Sequence, residues 1–458
     1  MVPLIVPIGS LLMGVALLLL GVGLLNTILA LRSSVEGYSA TMLGFIMSSY
    51  FLGFFIGTYL ALPLVKRMGH IRAFACCASM VSVCVLLHQL IVNPYAWMAF
   101  RVLTGISLVI LYTVVESWLN GQTPAENRGK VFAIYMTVNL GALAAAQQLL
   151  IVDPNLTFLL FALASVLVSL SLVPVTWTRL QQPLVSSVSE IKLWSLWKTA
   201  PVGVLGSFLS GLAMGSFWGL TAVYASEIGL KTTNVGTFVA CAILGGALLQ
   251  FPLGKFSDSQ DRRKALFMIS LGGGALAMAL AFFSSVGWWL YVMIAGFGGM
   301  AFAVYPVAMA HLVDHLEPED MLSGSSGLLL IHGVGAMLGP LTAGALMQSI
   351  APQSLPAYWA VILFVMAAVS WWYMNTSKAE NPDDHMADFI PMVRTTPTAL
   401  EMLPADEQGE LFENQSPVWG NDTSGETDND DDNSEESELD ENSNESDTGD
   451  NVQPRSAN

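Results

Sequence analysis

The chain has 458 residues, 53% of them hydrophobic, and a formal charge of -17. That charge sits at one end: residues 377–458 hold 23 Asp and Glu against 3 Lys and Arg, leaving 12 acids against 15 bases in the first 376 residues. So apolar and charge-poor a stretch excludes an ordinary water-soluble domain, and the low overall pI describes only the tail. Taken in chain order, apolar stretches lie near 6–30, 41–64, 72–92, 95–120, 130–152 and 156–176, then 201–226, 233–253, 264–285, 288–312, 322–348 and 355–375. Each has the ~17–25 residues a helix needs to cross a hydrocarbon core of ~30 Å. In lipid, every backbone polar group must be satisfied within its own segment, so the expectation is an all-α membrane protein of twelve transmembrane helices. The first stretch lacks a basic leader and runs on to Arg32, so it is expected to be a permanent helix.

Basic residues set the expected orientation. The even-numbered connections carry Lys66, Arg67 and Arg72, then Arg128 and Lys130, then Arg179, Lys192 and Lys198, and finally Lys255, Arg262, Arg263 and Lys264. The odd-numbered ones carry only Arg32 and Lys231. Positive charge stays inside, so both termini are expected in the cytoplasm. The connection before the eleventh stretch is an exception, with Asp314, Glu317, Glu319 and Asp320 and no base. The four cysteines, Cys76, Cys77, Cys84 and Cys241, all fall in apolar stretches and form neither a disulfide framework nor a metal-ligand spacing.

The polar interruption at 176–200 divides the stretches six and six. Shifted by about 192 residues, the connection from Lys66 to Arg72 meets that from Gly254 to Lys264; Gly141 then falls near Gly335, and Ala145 and Ala146 near Gly339 and Pro340. A six-helix repeat is the plan of a large group of secondary transporters whose substrate site lies between the halves. The boundaries expected on this basis are a first bundle over 1–176, a linker over 177–200, a second bundle over 201–376 and an acidic tail over 377–458. The tail is almost wholly polar between Asn421 and Asp450 and is expected to be disordered and cytoplasmic.

Several motifs carry a family resemblance. Gly254-x-x-x-Asp258-x-x-Asp261-Arg262-Arg263, between the eighth and ninth stretches, resembles the signature loop of the major facilitator superfamily, and Arg101-x-x-x-Gly105 is similar to that family's fourth-helix motif. Lys66 to Phe74, Glu116-Ser117-Trp118 and Asn127 to Val131 look like its bacterial YcaD-like branch. The resemblance implies two pseudo-symmetric six-helix bundles, alternating access and a bacterial inner membrane. It implies a cytoplasmic gate at Arg67, Gly69, Gly254, Asp258, Asp261, Arg262 and Arg263. Two departures stand out: Leu62 and Lys66 occupy the first loop's expected glycine and aspartate, and Ala145-Ala146 replaces the glycine–proline pair of many drug–proton antiporters.

Charge inside the stretches is scarce, so each instance is informative. At 100° per residue, Arg101, Gly105, Leu108, Tyr112 and Glu116 form one stripe on the fourth helix, with its two charges ~22 Å apart. A stripe of this kind is expected to face the interior or a water-filled cavity. Glu116 is the candidate proton-coupling residue, since a carboxyl partly removed from water has its charged form disfavoured; a structural pair with Arg128 or Lys130 is the competing reading. Candidates for the substrate cavity are Asn26, Arg101, Tyr112, Asn139, Gln147, Trp218, Tyr305 and His332. Each has a packing alternative: Asn and Gln bond neighbouring helices, and aromatic residues fill cores.

The expected function is a secondary active transporter of a small organic solute, coupled to protons. The chain is expected to act as a monomer in lipid, with no cofactor, metal or nucleic-acid partner. No Gly-x-x-x-x-Gly-Lys-Ser/Thr loop is present, and no nucleophile–base pair suggests an enzyme. Drug–proton efflux, and a membrane sensor that keeps the fold without transporting, are the alternatives.

Overall fold

The computed structural model describes residues 2–124, 127–177, 193–283, 287–316 and 320–376. The expected tail and most of the expected linker, with Arg179, Lys192, Glu317 and Glu319, lie outside them. Among the described residues there are twelve helices long and apolar enough to span a membrane.

In the first half these are α1 (Val2–Val35), α2 (Ala40–Met68), α3 (His70–Leu90), α4 (Pro94–Gln122), α5 (Arg128–Gln148) and a sixth span made of α6 (Phe158–Leu170) and α7 (Leu172–Trp177). A short α8 (Leu193–Thr199) precedes α9 (Pro201–Glu227), α10 (Thr232–Asp258), α11 (Arg262–Phe282), α12 (Trp288–Val313), α13 (Met321–Ser349) and α14 (Ser354–Thr376).

Local sequence sets the helix ends. Ser39, Asn93, Thr157 and Asp261 cap α2, α4, α6 and α11 through side-chain oxygens that accept backbone N–H bonds. Pro94 and Pro201 open α4 and α9, where a missing N–H is harmless. Between α2 and α3 the chain turns at Gly69 with φ 79°, a conformation that favours glycine, while its N–H satisfies the Val65 carbonyl at 2.8 Å. Outer faces are apolar as well, with Leu248, Phe251, Phe282 and Trp288 exposed, as lipid-facing helices require.

Packing repeats between the halves. The contacts of α2 with α4, α1 with α5, α3 with α4 and α3 with α6 recur as α10 with α12, α9 with α13, α11 with α12 and α11 with α14. The architecture is two pseudo-symmetric six-helix bundles, the major facilitator fold.

The halves meet along α2–α13, α5–α10 and α1–α9. Small residues make the first two seams. A Cβ on Gly44 would strike the Pro340 carbonyl, one on Gly344 the Ala40 carbonyl, and one on Gly236 the Gln147 carbonyl. The Ala40 N–H also donates to Gln348 Oε1 at 3.0 Å. These contacts lie toward the face of the odd-numbered connections. On the other side of them lies a central cavity, lined in part by the middle of α2 and the first half of α13.

Candidate functional site

The cavity lies between the bundles and encloses about 990 Å³ of non-protein space, part of it continuous with the outside. Helix α2 supplies Tyr50, Phe51, Phe54, Phe55 and Thr58. Tyr50, Phe54 and Thr58 follow at intervals of four, so they share one helix face. From the second half come Ser210, Met214 and Trp218 on α9, Phe302 and Tyr305 on α12, and Ser326 and His332 on α13. The α2–α13 seam lies on the side of the odd-numbered connections, and Thr58 and Ser326 carry the lining toward the basic ones.

His332 is held firmly. Its Nδ1 lies 3.2 Å from the Ser207 carbonyl, which only accepts, so Nδ1 carries the proton and Nε2 is left as an acceptor. Ser207 in turn donates to the Leu328 carbonyl at 2.9 Å, and the Tyr305 ring lies 4.5 Å from the imidazole. Trp218 also borders a second, much smaller pocket with Asn26, Thr27 and Gln147. There Thr27 Oγ1 donates to Gln147 Oε1 at 2.5 Å.

Trp218, Tyr305 and His332 therefore line the central cavity, and Asn26 and Gln147 line the small pocket behind Trp218. Arg101, Tyr112 and Asn139 line neither. The stripe on α4 faces the protein interior as expected, but what it meets is α2: Gly105 backs onto the Tyr50 carbonyl. Arg101 donates to Asn26 Oδ1 at 2.9 Å and lies under the Tyr50 ring, 4.6 Å from its centroid. Glu116 is fully buried and accepts from the Tyr135 hydroxyl at 3.3 Å. Lys130 is exposed at the start of α5. Asn139 donates to the Tyr135 carbonyl at 2.7 Å, and Tyr112 packs 6.4 Å from Phe54. Arg101 thus sits one side-chain layer behind the aromatic wall of α2, while Glu116 meets α5 at Tyr135.

The run Gly335-x-x-x-Gly339-Pro340-x-x-x-Gly344 divides its contacts. Gly335 and Gly339 press on the α9 backbone at Phe208 and Leu212, while Pro340 and Gly344 meet α2 in the seam. The aromatic face of α2 was not among the expected site residues. Its signal was the run of aromatic residues at 50, 51, 54 and 55, which resembles ordinary packing until the empty space beside it is known.

At the basic face, Arg262 is fully buried and bridges Asp258 at 2.5 Å and Asp314 at 3.0 Å, with a further bond to Ser257 Oγ. Asp314 stands at the end of α12 in the same half, so the acidic connection before the eleventh stretch gains a base from the start of α11. Asp261 caps α11 through the Arg263 N–H at 2.8 Å and pairs with the Arg263 guanidinium at 2.8 Å. Burial pushes the Asp261 carboxyl up, but these bonds outweigh it and hold the group below its ordinary value. Gly254 is buried, Gly69 forms the first turn and Arg67 is exposed.

A family model described as Major Facilitator Superfamily matches residues 11–203 and 203–404. The chain belongs to the major facilitator superfamily. It is a multi-pass membrane transporter. Curated relatives include an uncharacterized MFS-type transporter YcaD from Escherichia fergusonii, 29% identical over 400 residues that cover 83% of this chain and 98% of the relative. Its counterpart from Salmonella newport is 30% identical over the same shares. Among solved structures, a point mutant of the nucleoside transporter NupG superposes with a TM-score of 0.69 at 14% identity, over 79% of this chain and 98% of NupG. A bacterial homolog of the human lysosomal transporter Spinster, inward-facing and occupied, gives 0.63 at 15% identity over 80% and 96%. At these identities the structural likeness speaks for the fold alone.

Proposed function

We propose that this transporter moves a small organic solute across a bacterial inner membrane by alternating access, coupled to protons, with both termini in the cytoplasm. One observation carries the reading: a cavity walled by both bundles, sealed on one face by seams of small residues and reaching toward the basic face. Under the positive-inside rule that state is inward-facing. The bundle boundaries near 176 and 201 and a monomeric state in lipid belong to the same proposal.

Glu116 is the coupling residue on this reading. Glu116 is a fully buried acid in a span, bonded to the Tyr135 hydroxyl, and a proton gained or lost there changes the charge the bundle must hold. Tyr112, one helical turn before Glu116 on α4, packs on the cavity residue Phe54, so a shift of the α2 wall would reach the helix that carries the carboxyl. Glu116 would load and release its proton as the wall shifts. The residues at the basic face would form the gate that closes in the opposite state.

The test uses the full chain in liposomes loaded with a pH-sensitive dye and exposed to a panel of uncharged, anionic and cationic solutes. Solute-dependent proton movement is expected from the wild type and is lost in Glu116→Gln, while solute binding remains. Equal proton movement in the variant would remove Glu116 from the coupling step. Drug–proton efflux is a second reading, favoured by the aromatic wall; extrusion of tetraphenylphosphonium against its gradient would select it.

A further inference from the structure

The cavity wall narrows the class of solute, on the reading that this cavity is the transport site. Among the described residues that line it there is no Asp, Glu, Lys or Arg. An anion entering would lose its water without gaining a counter-charge, which is strongly unfavourable in a span. Arg101, the nearest guanidinium on the α4 stripe, is covered by the Tyr50 ring and bonded to Asn26, so it is not presented to the cavity. A cation would find ring faces but no carboxylate, since Glu116 is buried against Tyr135 and does not line the cavity.

What the cavity does offer is ring surface from both bundles. Tyr50 and Phe54 stand on α2, and Trp218, Phe302 and Tyr305 on α9 and α12. Trp218 and Phe302 meet edge to face with centroids 5.7 Å apart, which holds both rings in place. A flat ring system can stack on such walls from both sides at once.

Polar groups are few and defined. His332 has committed Nδ1 to the Ser207 carbonyl and keeps Nε2 as an acceptor beside the cavity. Ser210, one turn further along α9, also lines the cavity. Its hydroxyl is buried and has no hydrogen-bond partner among the described residues. The other hydroxyls of the lining, on Tyr50, Thr58, Tyr305 and Ser326, stand singly among rings and aliphatic side chains, and Thr58 already donates to the Phe54 carbonyl at 3.0 Å, so the wall suits a solute with few polar groups. A polyhydroxylated sugar would leave most of its hydroxyls without partners.

We propose that the transported solute is an uncharged, flat heteroaromatic compound, stacked between the α2 wall and the Trp218–Phe302 pair, with a ring N–H or hydroxyl donated to His332 Nε2. Three probes of one size differ in charge, indole-3-ethanol, tryptamine and indole-3-acetate, and maltose, a larger polyhydroxylated sugar, lacks the aromatic ring. Their binding to the full chain in detergent at pH 7 is measured by isothermal titration. Indole-3-ethanol is expected to bind at least about tenfold more tightly than either charged indole, and maltose not at all. His332→Phe and Trp218→Ala should each weaken indole-3-ethanol about tenfold, with helical content unchanged by circular dichroism.

Tighter binding of indole-3-acetate or tryptamine than of the alcohol would overturn the uncharged class. Binding of maltose alone, or no binding by any indole, would overturn the aromatic class. The same probes in proteoliposomes separate this inference from the transport reading. Indole-3-ethanol binding without flux keeps the solute class and removes transport, whereas maltose flux without indole binding does the reverse.

Discussion

The connection from α2 to α3 and the one from α10 to α11 occupy repeat-related positions on the same face, and they are stabilised differently. In the first, the turn rests on Gly69, and Lys66 and Arg67 are exposed. The second is an ion network: Arg262 is fully buried between Asp258 and Asp314, and Asp261 caps α11 while pairing with Arg263. Lys66 stands where the family pattern expects an aspartate, so the first loop lacks that acid. The comparison shows that the repeat preserves helix packing without preserving the chemistry that fastens the loops. Among the described residues of the two connections, the ion network stands in the second half.

Substitutions test that contrast. Arg262→Ala should have the largest effect, about 3–5 kcal/mol of stability, because it strands the mostly buried Asp314 without its counter-charge. An SDS-unfolding titration reads this loss. Asp314→Asn removes one of two acids and leaves Asp258 to hold the guanidinium, so a smaller loss of about 1–3 kcal/mol is expected in the same assay. A change below about 0.5 kcal/mol for Arg262→Ala would mean that the network is ornamental.

Asp261→Ala should cost about 1 kcal/mol through loss of the α11 cap. This effect depends on pH. The folded carboxyl is held below its ordinary value, so its stabilisation is complete above the unfolded value of about 3.9 and is lost as pH falls through the lower folded value. The gap between wild type and variant should therefore be constant near neutrality and shrink below about pH 4 in a pH series of melting temperatures. Arg67→Ala, in the first loop, should stay within about 0.5 kcal/mol of wild type. A loss as large as that of Arg262→Ala would erase the distinction between the halves.

The sequence made some of this legible and hid the rest. Span number and limits were readable because a membrane helix must be long and apolar, and neither property depends on its neighbours. The stripe from Arg101 to Glu116 was readable for a related reason, since helical geometry alone puts those residues on one face. Which element that face meets was not readable: the stripe rests on α2, so Arg101 and Tyr112 support the cavity wall from behind rather than line it. Tyr50 and Phe54 were not readable as cavity residues because an aromatic residue packed in a core and one lining an empty space look alike in sequence. The base for Asp314 was hidden too, as it comes from a connection 52 residues earlier.

The seam between Ala40, Gly44, Pro340 and Gly344 has a thermodynamic consequence. Glycine, alanine and proline have almost no rotamer freedom to lose on burial. Parting α2 from α13 therefore releases little side-chain entropy, and rejoining them consumes little. A seam of leucine or methionine would gain that freedom whenever it opened. Backbone set against backbone can close repeatedly with its freedom nearly unchanged, which leaves solvent, lipid and bound solute to decide which state prevails.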